Sequence, residues 1–66
     1  MTLIINGETK EYENSMSIQQ ILDDLQIESK VMAVAVNMEV VKKENWSTFT
    51  PCEGDKVEFL EFVGGG

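Results

Sequence analysis

Hydrophobic and polar positions divide this chain into short segments of two different periods. Thr2 to Ile5 is a brief β-rich run. Asn6-Gly7 follows it, and this dipeptide favours a tight hairpin turn because both central positions of that turn need positive φ. Thr9 to Glu13 then reads as a second strand carrying Tyr12, and Asn14-Ser15 ends it. The period changes after Ser17. Ile18, Ile21, Leu22 and Leu25 recur at i, i+3, i+4 and i+7, one apolar stripe of a helix. Gln19, Gln20, Asp23 and Asp24 take the solvent side. Ser17 is the N-cap, and Gln20 three residues later completes a capping box.

Strand character returns in the second half. Met32 to Val36 is apolar and rich in β-branched residues, as a central strand is. Asn37 marks a turn, and Met38 sits in it where a glycine or polar residue would be easier. Val40-Val41 is a short strand. Lys42 to Pro51 reads as a loop whose Trp46 and Phe49 close one end of the core. Glu53-Gly54-Asp55 turns into a last strand, Lys56 to Val63, before Gly64-Gly65-Gly66. Two strands, a helix and further strands predict an α+β chain of the ubiquitin-like β-grasp type. A mixed sheet of four to five strands would pack on one helix. Residues 1–63 form the domain and 64–66 a flexible glycine tail.

Side chains alternate across a strand. In the last strand, Val57, Phe59, Glu61 and Val63 share one side, while Glu58, Leu60 and Phe62 share the other. Val57 and Phe59 go toward the helix, as do Leu3 and Ile5 in the first strand and Met32, Val34 and Val36 in the central one. The open face then carries Ile4, Leu60, Phe62, Ala33 and Ala35, an apolar patch suited to a partner. Ile4, Leu60 and Phe62 on this face, together with Val63 next to the tail, are the expected interface residues, with scattered surface hydrophobes as the plain alternative. A slip of one residue in register would exchange the faces.

Composition narrows the chemistry. A chain of 66 residues supports one modest core and no enclosed active-site cavity. It has no histidine and one cysteine, so a Ser-His or Cys-His dyad and a conventional zinc site are excluded. Cys52 has no disulfide partner in the chain, which fits a reducing cytoplasm. No nucleotide-binding glycine motif is present. A net charge of −7 repels nucleic acid and favours steering toward a basic protein surface. No apolar run is long enough for a membrane span. These absences predict a chain that is not an enzyme and binds no metal or cofactor of its own; it is expected to be a monomer when alone.

The glycines supply the candidate chemistry. A side-chain-free tail reaches roughly 10 Å when extended and can enter a narrow channel. The Gly66 carboxylate, with a reference pKa of about 3.3–3.7, is ionised at neutral pH. It is a nucleophile toward the α-phosphate of ATP supplied by another protein. The acyl-adenylate formed is then open to replacement of AMP by sulfur. Alone, such a tail fits a linker or frayed end equally well; after this order of strands it reads as functional.

Five ordered segments resemble the ThiS family of sulfur-carrier proteins. They are Leu3-Ile4-Ile5-Asn6-Gly7-Glu8, Val34-Ala35-Val36-Asn37-x-Glu39, Val41-x-Lys43-x-x-Trp46, Gly54-Asp55-Lys56-Val57-Glu58 and Phe62-Val63-Gly64-Gly65-Gly66. The resemblance implies a sulfur carrier in thiamine (thiazole) biosynthesis. It implies adenylation of Gly66 by a ThiF-type adenylyltransferase with ATP, so that AMP and then sulfur are held covalently. It implies sulfur from a cysteine desulfurase and donation to the thiazole synthase ThiG, with Gly65 and Gly66 as the working tail. Two alternatives stand beside it. One is the small subunit of molybdopterin synthase, which resembles it in fold and tail. The other is a ubiquitin-like modifier or interaction module.

Overall fold

A computed structural model describes residues 1–62. The expectations that fall on Val63, Gly64, Gly65 and Gly66, including the boundary between domain and tail, lie outside the described residues. The elements are β1 (Thr2–Ile5), β2 (Glu8–Glu11), α1 (Ile18–Leu25), β3 (Val31–Val36), β4 (Glu39–Val41) and β5 (Lys56–Glu61). Single 3₁₀ turns occupy Glu28–Lys30 and Lys43–Asn45. The strands form one five-stranded sheet in the order β2-β1-β5-β3-β4. β1 and β5 run parallel, and the other neighbours are antiparallel. This is the α+β, helix-on-mixed-sheet architecture expected, with β5 in the middle.

Both hairpins close through paired residues at positive φ. Asn6 and Gly7 sit at 49° and 84°, and Asn37 and Met38 at 50° and 73°. Two positive-φ residues in succession match the right-handed twist of the strands they join. Polar side chains then tie the turns to β5. Asn6 Oδ1 accepts the Phe59 N–H at 2.8 Å, prolonging the β1–β5 ladder past the end of β1. Asn37 Oδ1 accepts the Lys56 N–H at 3.0 Å, and its amide donates to Asp55 at 3.0 Å.

Helix α1 begins as its capping box requires. The Gln20 N–H donates to Ser17 Oγ at 3.1 Å, and the Ser17 N–H donates to Gln20 Oε1 at 2.9 Å. The next free donors find distant acceptors: Ile18 N–H reaches the Phe49 carbonyl and Gln19 N–H the Trp46 carbonyl, each at 2.9 Å. The segment after β4 therefore seals the helix N-terminus. Gln26, in the left-handed region at φ 59°, ends the helix. The stripe residues Ile18, Ile21 and Leu22 are fully buried against Leu3, Val34, Val57 and Trp46.

Several boundaries and orientations differ from expectation. β2 spans Glu8–Glu11 rather than Thr9–Glu13, so Tyr12 lies just past it, partly buried against the core. Trp46 is 1% exposed and donates from Nε1 to the Val41 carbonyl at 2.9 Å, while Phe49 remains largely at the surface. β3 starts at Val31, and Met32 is not in the core: Val31 is buried and Met32 is 53% exposed. The cause is an irregularity in the β3–β5 pairing. Val31 lies opposite Glu61 and Ala33 opposite Leu60, so two steps on β3 match one on β5. This is a β-bulge, and it changes the phase of the strand. Glu61, expected on the helix side, is exposed.

Candidate functional site: the open face of the sheet and the root of the tail

The helix covers one face of the sheet and leaves the other open. Register places Ala33 beside Leu60 and sets Ala35 between Glu58 and Val40. Short alanines flanked by longer side chains leave a shallow groove of about 290 Å³, lined by Ala33, Ala35, Val40, Glu58 and Leu60 among others. Leu60 and Phe62 are each 60% exposed at the end of the sheet where the chain leaves it. Backbone bonding holds that exit: the Phe62 N–H donates to the Lys30 carbonyl at 2.9 Å. The root of the glycine segment is thereby tied to the 3₁₀ turn after α1.

Ile4 lies on the same face but not in the same patch. It pairs with Lys56, and Leu60 is four residues further along β5, about 13 Å away. Lys56 and Glu58 lie between. Ile4 instead borders a separate dent with Gly7, Lys56 and Glu58. Val40, which the interface expectation did not include, stands in the groove because its hairpin register sets it against Ala35. A two-residue count around Asn37-Met38 was the signal that could have found it.

Side-chain chemistry on the described residues is sparse. No group of three or more His, Cys, Asp or Glu among them is placed to hold a metal ion. Cys52 is exposed, and its backbone N–H donates to Asp55. Tyr12 is the residue with a displaced titration: burial, and secondarily the charge of Asp24, push its hydroxyl above the usual 10.0. That hydroxyl is buried without a hydrogen-bond partner. None of these groups lies with Leu60 and Phe62. No helix among the described residues is long and apolar enough to cross a membrane.

Comparison with known proteins bears on the whole chain. A family model described as the ThiS family matches residues 3–66. A crystal structure of a thiamine biosynthesis protein (ThiS) from Geobacter metallireducens superposes with a TM-score of 0.82 at 34% identity, covering 100% of both chains. The sulfur carrier protein ThiS of Bacillus subtilis is 35% identical over 65 residues, which are 97% of this chain and 98% of that protein. A thiazole synthase of Paramagnetospirillum magneticum is 38% identical over 66 residues; this chain spans only 20% of that protein's length.

Proposed function

The chain belongs to the ThiS family, and from that premise we propose that it carries sulfur for thiamine biosynthesis on the carboxylate of Gly66. The observation that carries the reading is the end-to-end correspondence with the Bacillus sulfur carrier. The family match extending through residue 66 supports placing the working group on the tail. The carboxylate oxygen attacks the α-phosphorus of ATP bound to a ThiF-type adenylyltransferase, and pyrophosphate leaves. A persulfide formed from cysteine on a desulfurase then attacks the acyl carbon as AMP departs, and a second thiol cleaves the resulting acyl disulfide by reduction, leaving the thiocarboxylate and a disulfide of the two thiols. Thiazole synthase receives that sulfur. A thiazole synthase one fifth of whose length matches this chain supports this last pairing, since one polypeptide there holds a domain like this one.

In this reading the chain is a co-substrate, acting in the cytoplasm, and not an enzyme. Its fold offers an address. Leu60 and Phe62 are exposed at the end of β5, with Ile4 at a second point of the same face; Val63, Gly64 and Gly65 precede Gly66 in sequence. Intact-mass measurement after incubation with the adenylyltransferase, ATP and a sulfur source tests it. The expected product is heavier by one oxygen-for-sulfur exchange at the C-terminus. Deleting Gly66 should leave the thermal midpoint unchanged and abolish adenylation. Sulfur on the truncated chain overturns the reading; a lysine conjugate without sulfur transfer favours a ubiquitin-like modifier.

A further inference from the structure

The bulge in β3 has a specific product: it buries Val31 and turns Met32 outward, where regular pairing would expose one face and bury the other in strict alternation. Met32 lies opposite the step from Leu60 to Glu61. Three large apolar side chains, Met32, Leu60 and Phe62, are therefore exposed together at the one end of the sheet from which the tail departs. Glu58, exposed, stands two residues from Leu60 on the same face of β5. Bulges recur where a protein re-aims a side chain beside a working site.

Chain length bounds where a partner that acts on Gly66 must sit. Gly66 is the fourth residue after Phe62, and four extended residues reach at most about 14 Å. An enzyme that acts on Gly66 must bring its surface within that distance of Phe62, over the ground that Met32 occupies. We propose that Met32, turned outward by the bulge, is a binding determinant for the adenylating enzyme, which meets it with an apolar recess flanked by basic side chains. This rests on the carrier reading above. A thioether side chain suits the position because it adapts to the shape of the recess, and Glu58, on the face of Leu60, supplies charge that the basic rim complements.

Steady-state adenylation, followed by pyrophosphate release at saturating ATP, separates binding from chemistry. Met32→Asp should raise KM for the chain about tenfold, the effect of losing one interface anchor, with kcat and thermal midpoint unchanged. Met32→Leu, close in volume, should stay within about twofold of the parent. Met38→Asp adds the same charge at a still more exposed methionine beyond the other end of β3, and should leave KM unchanged. An unchanged KM in Met32→Asp overturns the proposal while leaving the carrier reading intact, as does an equal rise in Met38→Asp. Failure of the parent chain to be adenylated at all overturns both.

Discussion

Met38 holds φ at 73° with a Cβ attached, and for an L-residue that conformation costs roughly 1–2 kcal/mol. Its side chain is almost wholly exposed and returns little packing. Met38→Gly relieves the strain and gives back part of the gain through a freer unfolded chain. The expected outcome is a net stabilisation of about 0.5–1 kcal/mol, seen as a higher urea midpoint at unchanged m-value. Tyr12 poses the opposite case, a buried hydroxyl with nothing to bond. Its raised pKa means that the folded state resists ionising it. Stability is therefore intact below the unfolded value near 10, falls as pH rises from there toward the folded pKa, and levels beyond it. Tyr12→Phe should be neutral or stabilising at pH 7 and should remove that alkaline decline in a series of denaturation curves.

Among the elements, α1 is the one most fully written in local sequence. Ser17-x-x-Gln20 announces its start and the apolar stripe its buried face, and both are present in the fold. Ser17→Ala should cost about 1 kcal/mol, measurable as a lower thermal midpoint. The acceptors of the Ile18 and Gln19 N–H groups were not legible, because Phe49 and Trp46 lie far along the chain and nothing near the helix signals them. β3 shows the same limit more sharply. Val31-Met32-Ala33-Val34-Ala35-Val36 is apolar throughout, so the segment alone does not say which phase faces the helix. Pairing with β5 decides it, and the bulge lets both Val31 and Val34 point inward. Leu60 and Phe62 were readable as outward-facing because β5 alternates with charged residues and keeps a single phase to its end. Ile4 was readable as to face but not as to neighbours, since its position depends on the parallel stagger of β1 against β5.

For the molecule as a whole, the net charge of −7 on 66 residues acts on association and on stability in opposite senses. Salt screens attraction to a basic enzyme surface and also screens the self-repulsion of the acidic domain. Raising ionic strength should therefore increase KM for adenylation, while the thermal midpoint of the free chain holds or rises. A rise in KM accompanied by a lower thermal midpoint would point to denaturation as the cause of weaker binding. The order of strands was only partly legible at this scale. The alternation of strands and helix indicates a helix on a mixed sheet. The insertion of β5 between β1 and β3 is a matter of long-range packing.

That insertion has a consequence for how the molecule is made. The middle strand of the sheet is the last to be synthesised, and the parallel pair it forms joins Ile4 to Lys56. Contacts so distant in sequence close late, and here they cannot close at all until residue 61 has left the ribosome. A nascent or prematurely ended chain has two hairpins and a helix with no strand to unite them. Gly64, Gly65 and Gly66 follow only a few residues after that strand in sequence. Completion of the sheet and synthesis of Gly64-Gly65-Gly66 are thus nearly one event, so under the carrier reading proposed above a chain folded well enough to dock on its partner already has those glycines.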